Sequence, residues 1–96
     1  MQGQYKVPGG KLVVVDLAVD QGHLCQVQVS GDFFIEPDTA LAWINQALEG
    51  QPAEATAARL CQAITAALPA GVQLYGITAE GVAVAVQRAL ASGESA

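Results

Sequence analysis

From Lys11 to Ser30 the chain alternates as a β-hairpin does, and the parity of that alternation limits how its two arms can pair. Val13, Val15, Leu17 and Val19 occupy the odd positions of the first arm, whereas the even positions mix Leu12 and Val14 with Asp16 and Ala18. Successive side chains of a strand point to opposite faces, so the odd face is the one that seeks a core. Past Asp20-Gln21-Gly22, the second arm repeats this parity with Cys25, Val27 and Val29 against Gln26, Gln28 and Ser30, Leu24 being the exception. Opposed residues of an antiparallel pair share a face, so odd must pair with odd. A three-residue loop with Gly22 as its left-handed residue meets that condition; a two-residue loop sets Val13 against Ser30 and exposes half the core face. With no bulge, this register places Lys11 beside Gly31, Gly10 beside Asp32 and Gly9 beside Phe33.

Three helices are expected after the hairpin. Glu36-Pro37-Asp38 starts the first, with acids at the positive end of its dipole; Leu41, Ile44 and Leu48 share a face and Gly50 stops it. The second spans about Ala53 to Leu68, with Ala57, Leu60, Cys61, Ile64 and Leu68 at helical spacing and Pro69-Ala70-Gly71 as terminator. Thr78 caps the third, whose Val82, Ala85, Val86, Ala89 and Leu90 form an apolar stripe to about Ala91, with Ser92 to Ala96 expected to fray. Val72-Gln73-Leu74-Tyr75 fits an edge strand or a loop. The order implies an α+β fold, a small antiparallel sheet with a possible third short strand and about three helices on one face, as a single domain over 1–96 with its ordered core over about 5–91.

Composition narrows the function. Ninety-six residues make one modest core, too small to add a deep substrate cavity and a catalytic apparatus. Nine acids against four bases leave a net charge of −5, a poor match for a phosphate backbone, so no nucleic acid is expected as partner. Lys6 and Lys11 flank Pro8-Gly9-Gly10, while Arg59 and Arg88 stand alone on helices. No apolar run approaches the roughly 20 residues that span a bilayer, so no membrane is expected either. Cys25 and Cys61 read as small core hydrophobes and, without a signal peptide, as reduced thiols in a cytoplasmic protein.

Signatures of independent catalysis are missing: the chain has one histidine, His23, at the turn, and no nucleophile elbow, phosphate-binding lysine loop or Cys-x-x-Cys pair. Asp16, Asp20 and Asp32 fall at the middle, turn and end of one hairpin, too dispersed for a single metal ion. What remains is the hairpin's open end. There Pro8-Gly9-Gly10-Lys11 offers backbone N–H groups to a phosphate or carboxylate, with Lys6 and Lys11 supplying charge, or is simply a turn leading into a strand. Phe33 and Phe34 face opposite ways; parity assigns Phe33 to the core and leaves Phe34 to pack under the helix layer or to anchor another protein. Trp43 and Tyr75 read as core or rim residues.

Tyr5-Lys6-Val7-Pro8-Gly9-Gly10-Lys11-Leu12, followed by Ser30-Gly31-Asp32-Phe33-Phe34 and then Pro37, resembles the C-terminal accessory domain of lipoate-protein ligase A. The specific match covers roughly the first 37 residues; the later helices agree in order and length and in the placement of Leu74-Tyr75-Gly76-Ile77-Thr78. The resemblance implies an accessory subunit, not catalytic alone, that acts with a large catalytic subunit in ATP-dependent activation of lipoate to lipoyl-AMP. Lipoate, ATP and Mg are expected on that partner and no cofactor on this chain, with lipoyl-acceptor proteins as indirect partners. It further implies a fold like that of sulfur-transfer and iron–sulfur scaffold proteins. Lys6, Gly9, Gly10, Lys11, Gly31, Asp32 and Phe34 are then the residues expected to face the partner's adenylation site. An iron–sulfur scaffold would need more converging thiolates than Cys25 and Cys61 supply. A lipoyl acceptor would present a lysine at the hairpin tip, where this chain has Asp20-Gln21-Gly22. An interaction or dimerisation module unrelated to acyl activation, using Leu12 and Val14, remains open.

Overall fold

The computed structural model describes residues 1–93 and holds eight elements: β1 (Gln2–Lys6), β2 (Leu12–Asp20), β3 (His23–Gly31), β4 (Phe34–Glu36), α1 (Thr39–Leu48), α2 (Ala57–Ala67), β5 (Gln73–Tyr75) and α3 (Ala79–Gly93). Strands β1, β2 and β3 form one antiparallel sheet in that order, and β4 pairs with β5 in a separate two-stranded ribbon. The helices lie on one face of the larger sheet, α3 against β1 and β2, α1 against β3, and α2 against the other two helices. This is the expected α+β architecture with two added strands, β1 and β4. The third strand of the main sheet is thus β1, and the segment read as an edge strand or a loop belongs to the ribbon. Strand β1 begins at Gln2, ahead of residue 5.

The hairpin solves its parity problem differently from the expectation. Asp20 pairs with His23 across a two-residue turn in which Gln21 (φ 51°) and Gly22 (φ 81°) both have positive φ, the left-handed pair that matches the twist of the strands. Left uncorrected, that turn would expose half the core face. A bulge on β3 supplies the correction: the register shifts between Asp16 and Ala18, and Gln26, at φ 52°, is the extra residue. Leu24 therefore joins Val27 and Val29 in the core although its parity is opposite, while Cys25 turns away and is only partly buried. Beyond the bulge Val15 pairs with Val29 and Val13 with Gly31, so the expected pairing of Lys11 with Gly31 is displaced by two residues.

Gly3 explains why β1 joins the sheet at all. A Cβ there would overlap the backbone N of Ala89 and the carbonyl O of Ala85, so the strand and α3 meet backbone to backbone. Ala85 and Ala89 are fully buried beneath it. Arg88 completes the seam: its guanidinium sits 4.9 Å from the Tyr5 ring centroid and donates to the Gln4 carbonyl at 3.1 Å, so it does not stand alone. At the other edge of the sheet, β3 is blunted by α1 and the segment after it. Val29 N donates to Asn45 Oδ1 at 3.0 Å, and Leu24 exchanges backbone bonds with Gln51 and Gly50 at 2.8 Å.

Helix boundaries move modestly. Helix α1 begins at Thr39 with Asp38 as N-cap, and Leu41 is only partly buried beside buried Ala40, Ile44 and Leu48. Helix α2 starts at Ala57, later than expected, because Thr56 is the capping residue and its hydroxyl accepts from Arg59 N at 3.2 Å. Thr78 caps α3 as expected, accepting from Gly81 N at 2.9 Å. That helix includes Ser92, and the rest of the segment expected to fray, residues 94–96, lies outside the described residues. Among the described residues no helix is long and apolar enough to cross a membrane.

Two substitutions test this frame by urea denaturation. Gly3→Ala should cost about 3 kcal/mol, because the added methyl meets fixed backbone atoms. Gln26→Gly should instead stabilise the protein by about 0.5–1 kcal/mol, by relieving a side chain held at positive φ.

Candidate functional site

Three segments converge at the open end of the hairpin. The first is a turn over Val7–Gly10: Gly10 N donates to Val7 O at 2.8 Å, with proline at the second position and Gly9, at φ 71°, at the third, the pattern of a type II turn. Val7 N then donates to Lys11 O at 3.1 Å and closes the loop. The second segment, Gly31 to Glu36, crosses beside it, with Asp32 N bonded to Leu12 O at 3.2 Å. The third is β5 with Gly76, whose carbonyl accepts from Lys11 N at 2.8 Å.

The approach is close because glycines meet there. A Cβ on Gly31 would overlap the Leu12 carbonyl, one on Gly10 would come within 2.9 Å of Gly76 O, and one on Gly76 (φ 80°) would run into the Lys11 side chain. Lys11 consequently lies over Gly76 with its side chain exposed. Gly9, Gly10, Lys11, Gly31, Asp32 and Phe34 thus occupy one end of the molecule, although Lys11 is set by Gly76 and not by Gly31. Lys6 belongs less directly: it alternates with Tyr5 and Val7, which face the helices, and so emerges on the helix-free face of the sheet opposite Leu12.

Phe33 is partly buried, short of the core position expected for it, and Phe34 is 57% exposed instead of tucked under the helices. Phe34 pairs across the ribbon with Tyr75, their ring centroids 6.2 Å apart at 56°. Tyr75 and Gly76 are the site residues that sequence reasoning missed. Their signal was present in the Leu74-Tyr75-Gly76 run, but nothing local indicates which strand it pairs with. This end is an open surface with a hollow of about 210 Å³ at its side, lined by Phe33, Phe34, Ile35, Asp38 and Leu41.

Cys61 lies elsewhere, in a groove of about 390 Å³ between α2 and α3 that also includes Ala57, Ala83, Val84 and Glu80. Burial, and secondarily the Glu80 carboxylate, push its thiol above the usual cysteine range. Cys25 is on the helix-free side of β3, opposite Ala18, so neither cysteine is the fully buried hydrophobe expected. Among the described residues no group of three or more His, Cys, Asp or Glu side chains is placed to hold a metal ion.

This architecture has a solved counterpart. The chain shares its fold with a component of an archaeal lipoylation system. That structure comes from a study of a bi-partite lipoate protein ligase and its E2 lipoyl domain from Thermoplasma acidophilum. The correspondence has a TM-score of 0.73 at 23% identity and covers 90% of this chain and 92% of the other. No protein-family model and no curated protein matches the sequence.

The Cys61 environment predicts slow chemistry. A raised thiol pKa means less thiolate at pH 8, so Cys61 should react more slowly with a maleimide than an unstructured cysteine peptide does. Glu80→Gln should accelerate that labelling several-fold by removing the adjacent negative charge.

Proposed function

We propose that this chain is the accessory component of a lipoate-protein ligase, acting with a separate catalytic chain in the ATP-dependent conversion of lipoate to lipoyl-AMP. The observation that carries the reading is the nearly full-length fold correspondence with a component of a lipoylation system whose lipoate protein ligase is described as bi-partite. Within such a system the acceptor role suits this chain poorly, since an acceptor displays a lysine and the hairpin tip here is Gln21-Gly22. The accessory role suits an open, glycine-lined surface carrying Lys11, Asp32 and Phe34, which can cover another protein's site without enclosing a substrate of its own.

In this reading lipoate, ATP and Mg reside on the catalytic chain, and the lipoyl-acceptor protein meets that chain. The convergent end of this subunit faces the adenylation site: Gly9, Gly10, Gly31 and Gly76 allow close backbone approach, and Lys11 adds a positive charge beside the anionic reactants. The contribution is positional, ordering the partner's loop or closing over the nucleotide.

Adenylation measured with each chain alone and with both together tests the reading, and activity is expected only in the mixture. Lys11→Ala should lower lipoyl-adenylate formation by about tenfold, the value of one charge-assisted contact, while sparing transfer from preformed lipoyl-AMP. Equal loss in both half-reactions would overturn the assignment of Lys11 to activation. Full activity of the catalytic chain alone would favour an interaction module built on Leu12 and Val14, which are partly buried on the face that the helices leave uncovered.

A further inference from the structure

Phe34 and Tyr75 come from distant parts of the chain and meet across the β4–β5 ribbon. Alternation turns Ile35 and Leu74 inward and leaves Phe34, Tyr75, Glu36 and Gln73 on the outward face. At 57% and 49% exposure, Phe34 and Tyr75 are, with Met1, the exposed large apolar side chains among the described residues. Two neighbouring rings left in water form an apolar patch of the composition that protein interfaces use.

Around them acids outnumber the one lysine, Lys11, which lies over Gly76 beside Tyr75. Asp32, Glu36 and Asp38 flank Phe34 along a single segment, and all three are exposed. Asp38 occupies the N-cap position of α1, yet its carboxylate makes no capping hydrogen bond, and the residue borders the hollow formed with Phe33, Ile35 and Leu41. An apolar wall beside an uncommitted carboxylate fits the stem and head of an arginine or lysine. The net charge of −5 reinforces attraction of a cationic partner at longer range.

We propose that the Phe34–Tyr75 pair is the anchor of a protein-docking surface whose occupant is a protein face with an apolar centre and a basic rim. The two rings enter the apolar centre, and a partner arginine or lysine lies in the Phe33–Leu41 hollow with its head at Asp38. The inference rests on the ligase reading, because it states the chemistry of the face that the catalytic chain must present.

Calorimetric titration of the purified catalytic subunit from the same organism's ligase tests it. The titrants are the wild-type chain, Phe34→Ala, Tyr75→Ala, and a triple variant carrying Asp32→Asn, Glu36→Gln and Asp38→Asn. Each aromatic variant should weaken Kd by about tenfold or more, as expected for a central anchor. The triple variant should bind more weakly at low salt and lose most of the salt dependence seen with the wild type. Wild-type affinity in the aromatic variants would overturn the docking surface and leave the ligase reading standing, as would an unchanged salt dependence in the triple variant for the basic rim. No binding of the wild-type chain would overturn both. A self-dimer seen by light scattering that Phe34→Ala dissolves would also overturn the proposal, giving the face to a second copy of the chain.

Discussion

The fold depends on one contact without side-chain atoms on one side: the backbone of Gly3 against the backbone of α3 at Ala85 and Ala89. It brings the first strand and the last helix to a separation that any larger residue at position 3 would prevent, and the small alanines complete the fit. Both elements run directly into the candidate site. Strand β1 continues into the Val7–Gly10 turn, and α3 is entered from Gly76 through the Thr78 cap. Seating β1 on α3 therefore aligns the two backbones that later meet at Lys11 N and Gly76 O.

The bulge at Gln26 is the second constraint, and it acts on the same surface from the other side. By inserting one residue into β3 it lets a tight turn coexist with a single buried face, and it sets which residue reaches the hairpin's open end opposite Val13. Gly31 arrives there at a place where a Cβ would overlap the Leu12 carbonyl, and the chain leaves toward Asp32 and the ribbon. A different register would carry Phe34 away from Tyr75 and separate the aromatic pair from Lys11. The surface that the ligase reading requires is thus a consequence of strand register, held by glycines whose missing side chains permit the approach.

Particular residues show how far the sequence was legible. Odd-position burial at Val13, Val15 and Leu17, the Thr78 cap and the stripe through Val82, Val86 and Ala89 are local periodicities, and the structure keeps them. The bulge was also legible in principle. Spacing the core residues as Leu24, Val27 and Val29 gives a step of three followed by a step of two, which is the mark of an inserted residue, and treating Leu24 as an exception hid it. Strand β1 was harder to see. Gln2, Gly3, Gln4, Tyr5 and Lys6 alternate correctly, but Gly3 does not look like a core residue because its contribution is the absence of a side chain.

What the sequence determined by itself was the α+β class, the hairpin and the three helices, because each is set by interactions a few residues apart: alternation, helical spacing, caps and turn glycines. It also brought Pro8-Gly9-Gly10-Lys11 and Gly31-Asp32-Phe33-Phe34 to attention as one surface. Only the tertiary structure decided that Lys11 is held by Gly76, that β4 pairs with β5, and that Phe34 stays in water beside Tyr75. Those outcomes depend on contacts between segments far apart in the chain, where local pattern carries no information about which backbone will lie against which.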